Sequence, residues 1–342
     1  MNPAPFLQAC RRERAPFTPV WLMRQAGRYM PEYRAVRDRF TFLELCHDSD
    51  AAAEVTVKAV EVLGVDAAII FADILLILEP LGVGLEFAKG DGPVIHRPVR
   101  SAADVARLPE PPPQETVPFV FETVRKARAA LPADVPLIGF SGAPFTVASY
   151  LVEGRGSRSY LHTKALMYSD KRAWDDLLSL LSRTIVAYLN AQIAAGAQAV
   201  QLFDSWVGCL SPADYREYVL PHTRSIVRGV TPGVPVIHFA TGTAGLLEAM
   251  REAGGDVIGV DWRVDIAEAW QRVGHDVAIQ GNLDPVALLA PKPEIRRRVQ
   301  AILDAVGGRP GHIFNLGHGI LPETPVEHAR FLVETVHELS AR

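Results

Sequence analysis

Residues 171–206 read KRAWDDLLSLLSRTIVAYLNAQIAAGAQAVQLFDSW, and this stretch decides the fold. Apolar residues recur at 3.6-residue spacing over Lys171–Ala195, which predicts an amphipathic helix. Gly196 stops it. Ala199–Phe203 is then a short, continuous apolar run, the pattern of a strand buried on both faces of a parallel sheet. Asp204-Ser205-Trp206 ends the run with polar and aromatic residues. A helix, a glycine, a buried strand and a polar strand end make one unit of an α/β fold.

The same unit repeats outward in both directions. Strand-like runs occur at Pro19–Met23, Asp66–Ala72, Pro136–Phe140, Ala199–Phe203, Pro235–Phe239, Val257–Val260, Val277–Gln280 and His312–Leu316. Helix-length periodic segments separate them: Ala51–Leu63, Glu115–Leu131, Lys171–Ala195, Pro212–Val227, Thr243–Ala253, Ile266–Val273, Pro293–Val306 and Val326–Leu339. Ser211-Pro212 is a capping residue followed by proline in the first turn. Eight alternations in one chain predict an α/β (β/α)8 TIM barrel, a single domain over 1–342 with its active site at the carboxyl ends of the strands. An open doubly wound sheet is the competing architecture, but GxGxxG after the first strand is missing. Residues 76–113, rich in Gly and Pro, read as an excursion beside the second strand.

Composition narrows the classes. The chain has 342 residues, 49% hydrophobic, with a formal net charge of −4. Charges of both signs are interspersed, which argues against a nucleic-acid surface. Cys10, Cys46 and Cys209 are widely spaced, so a reducing compartment fits. Met1–Val20 has no apolar run after its arginines and does not read as a signal peptide. No apolar stretch reads as a membrane span; Ala67–Leu78 is the longest candidate and contains Asp73. Arginine outnumbers lysine 29 to six.

In a barrel the chemistry sits just past each strand. There stand Arg24-Gln25-Ala26-Gly27-Arg28, Asp73, the Ser141–Thr146 segment leading to Tyr150, Asp204-Ser205-Trp206, Thr241-Gly242-Thr243, Asp261-Trp262-Arg263, Gly281–Pro285 and Gly317-His318-Gly319. Arg24 and Arg28 directly follow a buried run. Planar guanidinium forks grip carboxylates or phosphates through paired hydrogen bonds. Gly27 between them lets a ligand approach the backbone. The bland alternative is a salt bridge to an acid such as Glu32. Asp73 closes an apolar run, where a carboxylate is costly unless a cation or an N–H-bearing ligand compensates; a buried Asp–Arg pair is the structural alternative. His318, flanked by glycines, reads as an exposed imidazole able to bind an anion or move a proton, or as a turn histidine.

Other chemistries lack their residues. Lysines 58, 89, 126, 164, 171 and 292 avoid the strand ends, which argues against Schiff-base catalysis. There is no Walker loop, HExxH or GxSxG. His238-Phe239-Ala240 is the nearest approach to a metal motif, and one histidine is not a site.

Together these motifs resemble the uroporphyrinogen decarboxylase family. Pro19–Arg34 (PVWLMRQAGRYMPEYR) is similar to its signature, as are Phe71-Ala-Asp-Ile74, Gly142–Thr146 with Tyr150–Gly154, Gln201–Trp206, Gln280–Pro285 and Asn315–Gly319. The resemblance spans essentially the whole chain. It implies a cytoplasmic homodimeric barrel that converts the four acetates of uroporphyrinogen III to methyl groups, giving coproporphyrinogen III and CO2 in haem biosynthesis. It implies no cofactor, no metal, no nucleic-acid partner and no membrane. Carried over by motif, the substrate-binding residues are Arg24, Gln25, Ala26, Gly27, Arg28, Arg37, Asp73, Tyr150, Ser205 and His318. Asp73, Arg24, Arg28, Tyr150 and His318 are the catalytic candidates. The substrate's carboxylates suit arginines at the rim, and its pyrrole N–H groups suit Asp73. Two rivals remain at this point. One is a zinc- and corrinoid-linked methyltransferase, whose His-x-Cys motif is here His238-Phe239-Ala240 without the cysteine. The other is a non-enzymatic tetrapyrrole carrier.

Overall fold

The computed structural model describes residues 4–88 and 92–342. Residues 89–91, within the excursion read over 76–113, and 1–3 lie outside the described residues. The strands in chain order are β1 (Ala68–Ile69), β2 (Leu85–Ala88), β3 (Gly92–Ile95), β4 (Leu137–Gly142), β5 (Ala199–Asp204), β6 (Val236–Ala240), β7 (Val257–Gly259), β8 (Ala278–Gln280) and β9 (His312–Ile313). The helices are α1 (Pro5–Cys10), α2 (Pro31–Arg37), α3 (Phe42–His47), α4 (Ser49–Leu63), α5 (Ala102–Val105), α6 (Pro113–Thr116), α7 (Pro118–Ala130), α8 (Pro144–Glu153), α9 (Leu161–Ser169), α10 (Lys171–Ala195), α11 (Pro212–Tyr218), α12 (Leu220–Gly229), α13 (Leu247–Ala253), α14 (Ile266–Val273), α15 (Lys292–Val306) and α16 (Val326–Ser340).

Among the described residues, seven strands form one parallel sheet in the order β1-β4-β5-β6-β7-β8-β9. The expectation was eight. The first run, Pro19–Met23, makes a single parallel bridge, Val20 to Phe314. On its other side Asp66 N donates to Val20 O at 2.8 Å, but the Val20 N–H goes to the Asp66 carboxylate at 2.7 Å. A side chain thus takes the donor that a longer ladder would need, so residues 19–23 lie between β9 and β1 without forming a named strand. β2 and β3 pair separately as an antiparallel hairpin inside the excursion.

The sheet curls tightly enough for distant strands to touch across its concave side. Trp21 Nε1 donates to Gln280 Oε1 at 2.9 Å, and Gln280 Nε2 donates to Gln201 Oε1 at 3.0 Å. All three side chains are fully buried, so the relay satisfies the Trp21 N–H, both ends of the Gln280 amide and the Gln201 oxygen, leaving Gln201 Nε2 unpartnered. Phe140, Phe203 and Phe239, at the carboxyl ends of β4, β5 and β6, pack edge to face, with centroids 5.4 and 5.8 Å apart. Neighbouring positions on the same strands, Leu202, Asp204 and His238, alternate to the other face.

Local chemistry explains the helix limits. Thr41 and Glu44 form a reciprocal capping box at α3. Asp48 caps α4, and Gly64 ends it at φ 70°. The segment read as one helix over Pro212–Val227 divides into α11 and α12, because Pro221 has no N–H to continue the first helix. Pro118 likewise separates α6 from α7. Helices α1, α2, α3, α8 and α9 are short or begin with proline and had no clear periodicity. Helix α10 corrects the membrane reading: by length and composition it is long and apolar enough to cross a bilayer. Trp174, Leu177, Leu178, Leu181 and Ile185 on it are fully buried in the core, which accounts for the composition.

Candidate functional site

Arg24 leaves the first run with φ 62°, a left-handed conformation that costs a non-glycine residue roughly 1–2 kcal/mol. The surrounding backbone enforces it. Met23 N donates to Asn315 Oδ1 at 3.1 Å, and Ile320 N donates to Met23 O at 2.9 Å. The Arg24 side chain then crosses Gly319: a Cβ there would lie 2.8 Å from Arg24 Cγ and 2.9 Å from its Nε. Gly319 is therefore the residue that makes room for the guanidinium.

That guanidinium is the hub of the site. It lies close enough to Asp73 to lower its carboxyl, to Tyr150 to lower its hydroxyl, and to His318 to lower its imidazole. Burial dominates at Asp73, pushing the carboxyl up to about 6 despite the Leu75 N–H on Oδ1 at 2.9 Å and the charge of Arg24. Asp73 is a carboxylate with too few donors, sitting half-buried at the end of an apolar segment.

Tyr150, on α8, stacks its ring on Trp206 at 3.7 Å and 28°. Burial and the negative charge of Asp73 push its hydroxyl up to about 12, so it stays protonated at neutral pH. His318 is half-buried rather than exposed, and burial first, then Arg24 and Arg263, brings it down to about 4. Its Nδ1 accepts the Gly319 N–H at 2.6 Å, which places the ring proton on Nε2. His318 is thus a neutral N–H donor.

Ser205 follows β5 on a turn held from two sides. Thr241 Oγ1 donates to the Ser205 carbonyl at 2.6 Å, and Thr146 Oγ1 accepts the Trp206 N–H at 3.2 Å while donating to Asp204 Oδ1 at 2.7 Å. Asp204 is fully buried with Oδ2 unpartnered, and burial raises it to about 7.

Arg24 and Arg28, both exposed, have different neighbours. Arg28 is exposed and, with Arg37, lies near the hydroxyl of Tyr33, whose ring packs 5.7 Å from Phe71. Arg37 also donates to the Phe40 carbonyl and sits 6.0 Å over the Phe42 ring. Gln25 and Gly27 each have a duty within the chain. Gln25 has no exposed surface: its amide accepts Leu22 N at 3.1 Å and donates to Ala67 O at 3.1 Å, so the side chain shapes the turn. Gly27 is required within the chain, since a Cβ would come 2.8 Å from Arg24 O. Ala26 is partly buried beside it.

Sequence reasoning passed over three participants: Trp206 as the stacking platform of Tyr150, Gly319 as the seat of Arg24, and the Asp261–Arg263 pair beside His318. All stand at strand ends, which was the available signal. Among the described residues, no group of three or more His, Cys, Asp or Glu is placed to hold a metal ion. His238 points away from the cleft, with Gly255 packed against its Cβ, and burial lowers it to about 4.

The comparisons follow this geometry. A family model described as "Uroporphyrinogen decarboxylase (URO-D)" matches residues 1–339. A uroporphyrinogen decarboxylase of Carboxydothermus hydrogenoformans is 58% identical over 337 residues, covering 98% of this chain and 96% of the relative. That of Sorangium cellulosum is 58% identical over 335 residues, with coverage of 98% and 96%. That of Roseiflexus sp. is 54% identical over 347 residues, covering 100% of both. Among solved structures, a methyltransferase from Methanosarcina mazei superposes with a TM-score of 0.82 at 20% identity, covering 97% of each chain. At that identity the likeness is one of fold.

Proposed function

This chain belongs to the uroporphyrinogen decarboxylase family, and from that premise we propose that it converts the four acetate side chains of uroporphyrinogen III to methyl groups, yielding coproporphyrinogen III and CO2. The family's members are carboxy-lyases of porphyrin biosynthesis that work without a cofactor. The observation that carries the residue assignment is Asp73, an under-satisfied carboxylate beside Arg24 at the end of an apolar segment.

The chemistry needs an electron sink. Protonation of the ring carbon beside the acetate makes that pyrrole cationic. The bond to the carboxylate then breaks, its electron pair forms an exocyclic double bond, and CO2 leaves. The methylene carbon takes a proton and the ring carbon returns its own, so each cycle consumes one proton and releases one CO2. Asp73 accepts pyrrole N–H hydrogen bonds and stabilises the cation where it develops. Arg24 holds a substrate carboxylate, with Tyr150, Ser205 and the His318 Nε2–H as neutral donors, and Arg28 and Arg37 hold carboxylates farther out.

We read the whole chain as one domain in which residues 19–23 act as an eighth stave, closing the sheet between β9 and β1 as a (β/α)8 barrel. We read the protein as a soluble cytoplasmic homodimer. The methyltransferase reading has only a 20%-identical fold behind it, against relatives that share more than half their residues with this chain. Anaerobic incubation with uroporphyrinogen III tests the activity: the product should lack four carboxyl groups by mass. Recovery of bound, unchanged octacarboxylate would make the protein a carrier.

A further inference from the structure

Arg263 stands where β7 ends, four strands along the sheet from β1, the strand leading to Asp73. No motif assigned it a role. Its side chain is 52% exposed, yet it is fixed more firmly than a solvated arginine needs to be. The guanidinium lies 4.3 Å over the Trp262 ring and pairs with the carboxylate of Asp261, which is 2% exposed. Asp261 in turn is locked: Oδ1 accepts the Arg263 N–H at 3.0 Å, and Oδ2 accepts the Gly242 N–H at 2.6 Å as well as the guanidinium. The Asp261 carbonyl is held by Asn282 Nδ2 at 2.9 Å. Trp262 presses on the neighbouring turn, where a Cβ on Gly317 would come 2.6 Å from Trp262 N.

A free arginine side chain loses rotamer entropy when it is held, and prior immobilisation removes that cost from a later binding event. A stacked guanidinium with one edge on Asp261 keeps its other edge for an incoming anion. His318 lies within electrostatic reach of both Arg24 and Arg263, which follow different strand-like runs. A carboxylate there would meet two planar forks and a neutral donor.

We propose that Arg263 is a specificity-determining residue that binds a side-chain carboxylate of the tetrapyrrole on the wall remote from Asp73, with Asp261 and Trp262 as its positioning residues. The proposal rests on the decarboxylase reading and assigns the second anchor of its substrate. Because this contact is remote from the reacting carbon, it is made equally in the ground and transition states and governs KM.

The test is steady-state kinetics with uroporphyrinogen III on the wild type, Arg263→Gln and Arg263→Lys, with melting curves on the same preparations. Loss of a charge-assisted contact should raise KM about 10- to 100-fold in Arg263→Gln with kcat retained, and less in Arg263→Lys. Arg263→Lys keeps an ion pair with Asp261 and covers the case in which Arg263→Gln folds poorly. An unchanged KM in a folded variant overturns the proposal. So does a fall in kcat and melting temperature at constant KM, which would make Arg263 a buttress for Asp261. A wild type that fails to turn over uroporphyrinogen overturns the activity itself and takes this assignment with it.

Discussion

Arg24 and Gly319 occupy one another's space: the side chain of the first lies where a Cβ of the second would be, 2.8 Å from Arg24 Cγ. The contact ties the turn after the first run to the turn carrying His318. It sets the direction of a guanidinium already held at φ 62°. Gly319→Ala should therefore displace Arg24 while leaving the core untouched. The expected outcome is a raised KM with a melting temperature near that of the wild type. A large loss of stability with normal KM would show that Gly319 serves only its own turn.

The two arginines of the signature should not be equivalent. Arg24 faces Asp73, Tyr150 and His318, whereas Arg28 stands near Tyr33 and Arg37. An ammonium cannot reproduce the two-pronged contact of a guanidinium. Arg24→Lys should cost transition-state binding about 1.5–3 kcal/mol in kcat/KM, and Arg28→Lys should cost less. Equal losses would contradict the division seen here.

Acidification should switch the site off through Asp73. Its carboxyl is raised to about 6, so it is ionised above that value and neutral below it. The profile of kcat/KM against pH should fall on the acid side with a midpoint near that pKa, because this ratio reports the free enzyme. His318, lowered to about 4, remains neutral across the same interval and adds no second limb there. An acid limb that survives unchanged in the residual activity of Asp73→Asn would assign it to another group.

Asp204 gives a stability test free of the chemistry. Its folded-state pKa is raised to about 7 by burial. A raised carboxyl pKa means that the folded protein holds the proton more tightly than the unfolded chain does. The resulting stability is present below the unfolded value of about 3.9 and is lost as pH rises through the folded value. Asp204→Asn carries no such charge and keeps an acceptor for Thr146. Its melting temperature relative to the wild type should rise between about pH 5 and about pH 8. A difference that shrinks over this range would mean that the wild-type carboxylate finds compensation when ionised.

The strand ends were legible because buried parallel strands are continuous apolar runs, so Asp73, Ser205 and His318 stood out where those runs stopped. What escaped depended on backbone geometry and on partners far away in sequence. Arg24 and Arg28 look interchangeable as letters; only Arg24 takes a left-handed backbone conformation, and its side chain lies against Gly319. Gln25 looks like a ligand between two arginines, but its amide closes the turn against Ala67. Gly27 and Gly319 both sit beside the site, and which atom each must avoid is a three-dimensional fact. The first run reads as a full strand, yet the Asp66 side chain takes the N–H its ladder would use. Arg263 was one arginine among 29, and only its stacking on Trp262 and its pairing with buried Asp261 distinguish it.

The central claim is that Asp73 stabilises a cationic pyrrole, and single-turnover decarboxylation by Asp73→Asn tests it most directly. The amide keeps the size of the side chain and an acceptor but loses the charge. Because burial opposes that charge in the fold, the variant should melt no lower than the wild type at neutral pH. Its single-turnover rate should fall on the order of a hundred- to a thousandfold, about 2.7–4 kcal/mol of transition-state stabilisation. A variant that is less stable yet decarboxylates at the wild-type single-turnover rate would make Asp73 a structural residue and contradict the account.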